Sequence, residues 1–211
     1  VAKDLPLTRL LPNMLTIMSL CSGLTGIRFA LQDKWEFAAL SIVIAAVFDI
    51  LDGRVARMLN ITSKFGAELD SLSDCISFGV APGLMIYLWA LQGNTRLGWI
   101  AVLVFAGCCA LRLARFNTML EAPAPAWAKS FFTGIPAPGG AGLGLLPLFI
   151  SLEFGQDIQL PPSVLAIWLM CIGGLMVSQV PTLALKGWRV APAFVVPIFI
   201  LVVLLVAALI T

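Results

Sequence analysis

Apolar runs long enough to cross a bilayer recur along most of this chain. Seven can be read, at about 10–31, 35–59, 66–92, 97–118, 133–152, 162–181 and 191–211. A hydrocarbon core about 30 Å thick takes a helix of roughly 20 apolar residues. Within it the backbone has no water to bond to, so a single spanning segment must be helical. The expectation is an all-α, polytopic transmembrane helix bundle of six to eight spans, built as one domain over residues 1–211. Composition agrees: 60% of the 211 residues are hydrophobic, 11% are charged, and the mean hydropathy is +1.02. A soluble domain carries about 25% charged residues, so an ordinary globular enzyme and a disordered chain are both excluded. The first run follows Lys3 and Arg9 but is too long for a signal peptide, and more spans follow it. The chain starts at Val1 and its last run reaches Thr211, so a native chain extended by a further helix is part of the expectation.

The basic residues orient the bundle. Lys3, Arg9, Arg54, Arg57, Lys64, Arg112, Arg115, Lys129, Lys186 and Arg189 fall at the ends of runs that share one side, while only Arg28, Lys34 and Arg96 fall on the other. The rule that positive charge stays inside puts the first set in the cytoplasm. An integral protein of a bacterial cytoplasmic membrane, with any site among those residues on the cytoplasmic face, follows. Thirteen scattered basic residues against eleven acidic ones leave no nucleic-acid footprint. With no histidine in the chain, imidazole acid–base work, His metal ligation and phosphohistidine intermediates are excluded. The five cysteines lie in or beside apolar runs with no C-x-x-C pair, as small buried hydrophobes do.

The acidic residues carry more information. Five of the eleven fall between Asp49 and Asp74, inside sequence that otherwise spans the membrane. Asp49 and Asp52 are three apart, Asp70 and Asp74 four apart, so each pair shares a helix face. An ionised carboxylate there costs several kcal/mol unless it is paired, hydrated or metal-bound. Divalent cations remove that penalty, and hard oxygen ligands suit Mg²⁺, Mn²⁺ or Ca²⁺. Gly53 and Ala56 follow Asp52, and Gly66 lies in the same row as Asp70 and Asp74. Small residues beside metal ligands let a bulky ligand approach the backbone, and Arg57, one turn beyond Gly53, suits a phosphate. The pattern describes a metal–diphosphate site at the cytoplasmic boundary. A cation-coupled transporter is the competing class, because intramembrane acids also mark ion pathways. It has no need of Gly53, Arg57 and Gly66 in that register.

These residues, Asp49-x2-Asp52-Gly53-x2-Ala56-Arg57-x8-Gly66-x3-Asp70-x3-Asp74, resemble at every fixed position the signature of the CDP-alcohol phosphotransferase family. The flanking text is similar to its membrane-embedded phosphatidylserine synthase branch. The similarity lies in Pro12-Asn13, in Thr62-Ser63-x-Phe65-Gly66-x-Glu68 through Asp74, in Ser77 to Pro82, in Ala110 to Asn117 and in Gly134-Ile135-Pro136-x-Pro138. Pro138 to Gly142 departs from it, where an alanine-richer run is expected.

The resemblance implies transfer of a phosphatidyl group from CDP-diacylglycerol to L-serine, with release of CMP. It implies two divalent metals, Mg²⁺ or Mn²⁺ (with Ca²⁺ able to bind), one on Asp49, Asp52 and Asp70 and one on Asp49, Asp70 and Asp74. It assigns the base to Asp74, with direct attack, and implies a homodimer. The CDP moiety would lie against Gly53, Ala56, Arg57 and Gly66, with Asn13, Thr16, Thr62, Ser63 and Lys64 completing its contacts. Glycerol 3-phosphate and inositol phosphate are the alternative acceptors. Arg112 and Arg115, three apart at the end of the fourth run, are open to two readings. They anchor the helix by positive charge, or they hold the serine carboxylate or a substrate phosphate, as the guanidinium fork suits. Asn117 is a further acceptor candidate. The glycines from Gly134 to Gly144 read as close helix packing.

Overall fold

The computed structural model describes residues 10–59, 63–121, 132–154, 160–178 and 181–182. Small residues spaced four and three apart shape the first helix, α1 (Leu11–Ala30). Pro12, Thr16, Ser19, Gly23, Gly26 and Ala30 form its buried stripe, while Met14, Ile17, Met18 and Leu24 are exposed on the other side. A stripe without bulk lets neighbouring backbones come close. A short turn with Asp33 at φ 57 leads into α2 (Trp35–Met58), which packs along α1. Asp is one of the few non-glycine residues that accept this left-handed conformation.

The next rod runs from Lys64 to Leu91. It comprises α3 (Lys64–Asp74), a π-helical segment (Cys75–Val80), α4 (Ala81–Ile86) and a second π-helical segment (Tyr87–Leu91). α5 (Thr95–Glu121) returns antiparallel to it. Pairs along the two define that path: Ser71 with Asn117, Gly79 with Cys109, and Gly83 with Val102 and Phe105. A methyl at Gly79 would lie 3.0 Å from Cys109 Cβ, so the glycine sets this approach. α6 (Ala137–Gly144) and α7 (Leu146–Phe154) meet at a 43° bend. Pro147 sits in the first turn of α7, where it has no N–H to continue the ladder from α6. α8 (Pro162–Val177) closes the core against α5, where Gly173 brings the α5 backbone to 3.2 Å of a Cβ position. Phe78, Met85, Phe105, Leu145 and Leu169 fill the centre. A two-residue antiparallel pair, Phe132–Thr133 with Pro181–Thr182, is the one strand pairing among the described residues.

The chain is all-helical in its architecture, but the span count differs from the hydropathy reading. By length and composition two described helices can cross a bilayer, Lys64–Leu91 and Arg96–Thr118, and α6 with α7 makes a third if the bent pair is one span. The causes are local. α1 carries Asn13 and Arg28, and α2 carries Glu36, Asp49, Asp52, Arg54 and Arg57, which dilute otherwise long helices. α8 has 16 residues, about 24 Å at 1.5 Å per residue. The run at 191–211 lies outside the described residues.

Candidate active site

Ser63 starts the arm of the site that α3 carries. Its backbone is extended, and its Oγ accepts the Gly66 N–H at 3.0 Å, capping the helix. From that start Gly66, Asp70 and Asp74 fall in one row. Asp49 and Asp52 approach from the last turns of α2. One carboxylate oxygen each from Asp49, Asp70 and Asp74 lies within 4.8 Å of the other two, and Asp49 and Asp74 are in hydrogen-bond contact. Asp52 is turned to α1: Thr16 Oγ1 lies 2.5 Å from its Oδ2, and its carboxylate also accepts the Gly53 N–H. The structure thus brings three of the four acids to one point and holds the fourth beside them.

Asp70 Oδ1 and Asp74 Oδ1 are buried without a hydrogen-bond partner. Buried carboxylate oxygens left unpaired are costly, and the chemistry that relieves them is a proton or a cation. Three hard oxygen donors around one gap fit a divalent cation. The residues present therefore pass the test for such an ion.

The glycines border this group differently. A methyl at Gly53 would find only Arg57 Nη2, at 3.9 Å, so that flank is open. At Gly66 it would meet Ser63 Oγ at 3.1 Å and Asn13 Oδ1 at 3.3 Å, so Asn13, Ser63 and Gly66 converge from two helices. Ala56 is half-buried, and Arg57 and Lys64 are exposed at the same end. Thr62 lies outside the described residues. On α5, Arg112 is half-buried, its Nε has no hydrogen-bond partner, and its charge acts on Asp74. Arg115, one turn on, is also half-buried. Asn117 is committed elsewhere: its Nδ2 donates to Glu68 Oε2 at 3.3 Å and its Oδ1 accepts from Ser71 at 3.1 Å. Both ends of that amide tie α5 to α3, which is a different role from the acceptor contact expected of it.

Sequence reasoning missed three serines. Ser73 and Ser77 donate to the carbonyls of Thr16 and Ser19 at 3.0 and 3.2 Å, and Ser19 donates to Ala45 O at 2.9 Å. The signal was available, since Ser73 and Ser77 are four apart in an apolar rod and lie on one face.

With that geometry in place, comparison with known proteins is informative. Residues 9–180 match the family model for CDP-alcohol phosphatidyltransferase. The chain is 41% identical over 187 residues to a CDP-diacylglycerol–serine O-phosphatidyltransferase of Mycobacterium leprae, covering 88% of this chain but 62% of the relative. It is 34% identical over 193 residues to the Helicobacter pylori protein of the same name, covering 90% and 80%. A Bacillus subtilis protein, again so named, is 35% identical over 170 residues, covering 81% and 88%. With a family model matched across most of its length and relatives this similar, the chain belongs to the CDP-alcohol phosphatidyltransferase family.

Proposed function

We propose that this chain transfers the phosphatidyl group of CDP-diacylglycerol to L-serine, making phosphatidylserine and releasing CMP. The observation that carries the reading is the convergence of Asp49, Asp70 and Asp74 within 4.8 Å, with two buried oxygens unpartnered. The printed names of the relatives support serine as the acceptor. Asp49, Asp52, Asp70 and Asp74 hold two divalent cations, Mg²⁺ or Mn²⁺. When bound, they neutralise charge developing on the departing phosphate. Asn13, Ser63 and Gly66 line one side of the CDP group, and Gly53, Ala56 and Arg57 the other, and Thr62 and Lys64 complete its contacts. Asp74 takes the serine hydroxyl proton as the oxygen attacks the phosphatidyl phosphorus. The new P–O bond forms, the diphosphate P–O bond breaks, and CMP leaves with that electron pair. Arg112, whose charge acts on Asp74 and whose Nε is unpaired, orients the serine carboxylate, and Arg115 flanks it.

Arg57, Lys64, Arg112 and Arg115 gather at the same helix ends as the acids, which supports a site at the cytoplasmic face of the membrane. In this reading α1, α2 and α8 join the apolar helices in crossing the bilayer, and the chain works as a homodimer. The deciding experiment supplies purified protein with CDP-diacylglycerol and Mn²⁺ or Mg²⁺, then serine, glycerol 3-phosphate or inositol phosphate in turn, and follows CMP. CMP release with serine and its loss in EDTA are expected. Release with a phosphorylated alcohol alone overturns the acceptor assignment, and full turnover in EDTA overturns the metal assignment. Light scattering in detergent tests the dimer.

A further inference from the structure

α1 joins the two acid-bearing helices through paired hydrogen bonds that the transfer chemistry does not itself require. Thr16 and Ser19, three apart, each reach α2 with a hydroxyl and α3 or its π-helical extension with a carbonyl. Ser19 sends its hydroxyl to Ala45 O and accepts from Ser77. Thr16 sends its hydroxyl toward Asp52 Oδ2 and accepts from Ser73, the residue before Asp74. Both acceptors in the Ser19 pair are backbone carbonyls; in the Thr16 pair one acceptor is a carboxylate. Thr16, Asp52 and Ser73 are 4%, 5% and 1% exposed, so water does not compete for these bonds.

We propose that Thr16 is a positioning residue for the cation site, holding the Asp52 carboxylate in place, and that Ser73 holds Thr16 in turn. The inference rests on the reading of the acids as a divalent-cation site. It replaces the nucleotide contact expected of Thr16. A hydroxyl has one proton, and Thr16 has two acceptors within reach, Pro12 O at 3.0 Å and Asp52 Oδ2 at 2.5 Å. The carboxylate is the nearer and takes the stronger, charge-assisted bond. A β-branched side chain has few rotamers to give up, so the bond fixes the carboxylate in the plane that Thr16 dictates. Outer partners of this kind orient metal ligands, and their loss weakens binding about 10- to 100-fold. Ser73 completes a chain from the acid of α2 through α1 to the turn that carries Asp74. The two halves of the site thereby share one rigid reference.

The test titrates Mn²⁺ into the purified full chain in detergent, without substrate, and reads free Mn²⁺ by electron paramagnetic resonance. Thr16→Val keeps the shape and removes the hydroxyl, and is expected to weaken Mn²⁺ binding about 10- to 100-fold. Thr16→Ser keeps the hydroxyl and should bind close to wild type, with Ser73→Ala between the two. CDP affinity at saturating Mn²⁺ should be unchanged in Thr16→Val. Should the valine variant aggregate, Thr16→Ala gives the same reading. Wild-type Mn²⁺ binding by a folded Thr16→Val or Thr16→Ala protein overturns the proposal, as does a loss confined to CDP affinity. If Asp52→Asn weakens Mn²⁺ binding and Thr16→Val does not, this inference alone fails. If the wild-type chain binds no Mn²⁺, the cation site fails with it.

Discussion

Gly23 lies two turns along α1 from Thr16, yet adding one methyl to it should disable the site. The Cβ of Gly23→Ala would stand 2.6 Å from Ser77 Oγ and 2.8 Å from Ser77 Cα. The hydroxyl can rotate away; the Cα is backbone and cannot. Restoring an ordinary separation of 3.4 Å needs about 0.6 Å more between α1 and the rod, a small-to-large strain worth about 1–3 kcal/mol. The better helix propensity of alanine returns at most about 1 kcal/mol. The same shift stretches the 3.0 Å bond from Ser73 to Thr16 O to about 3.6 Å, past hydrogen-bonding reach. Metal sites tolerate ligand displacements of about 0.2 Å, so the carboxylates on the two helices no longer share an ion well. The assays are thermal unfolding in detergent and Mn²⁺ titration. Both should drop for Gly23→Ala, while Gly107→Ala, with nothing within 4 Å of its new methyl, serves as an unperturbed control. Adding Ser77→Ala should not rescue, because the clash with the Ser77 backbone remains. A Gly23→Ala protein with the melting temperature and Mn²⁺ affinity of the wild type would refute the reasoning.

Three further outcomes follow from the site. Gly53→Leu should fold, since among the described residues only Arg57 Nη2 lies within 4 Å of a new Cβ, yet lose CDP-diacylglycerol binding; normal affinity in a nucleotide-binding assay rejects the open flank as the nucleotide bed. Asp74→Asn should retain CDP-diacylglycerol and cut CMP release with serine by about 10²–10⁴-fold, measured on one preparation. Near wild-type kcat removes Asp74 as the base. Arg112→Ala should raise the KM for serine by roughly 10- to 150-fold, the worth of one charge-assisted contact, and leave the KM for CDP-diacylglycerol largely alone. Equal effects on both would point instead to a phosphate or packing role.

Six of the seven apolar runs coincide with described helical elements, because a long apolar run in a bilayer has only helix open to it. The acids were legible for the same reason: in an apolar helix a carboxylate needs a cause, and Asp49, Asp70 and Asp74 at helical spacing point to a shared one. What sequence could not give was direction across helices. Asp52 matches its neighbours in type and spacing, and only the packing of α1 turns it to Thr16. Asn117 reads as a polar residue free for a ligand until α5 is laid against Glu68 and Ser71. By length and composition two or three described helices qualify as spans, fewer than the seven runs read. The charges that build the site are the ones that make α2 a poor membrane helix by composition, so the most informative segment is the hardest to count.

The rod that carries Asp70 and Asp74 does two jobs on two neighbouring faces. Gly66, Asp70 and Asp74 follow one another at intervals of four, and an unbroken α-helix would bring Phe78 next into that row. The residues that meet α5 form a neighbouring row, Ser71, Gly79 and Gly83, one position on from the acids and again at multiples of four. The two rows run side by side on the rod, the acids toward Asp49 of α2 and the small residues toward α5, with Cys109 beside Gly79. Deleting one residue between Cys75 and Val80 would leave a rod still long and apolar enough to cross a membrane. It would also rotate one half of the rod by about 100° against the other. Either the glycines would lose α5 or the acids would lose their gap. For this family member the phase of the rod, as much as its length and apolarity, is what lets one helix serve packing on one face and chemistry on the next.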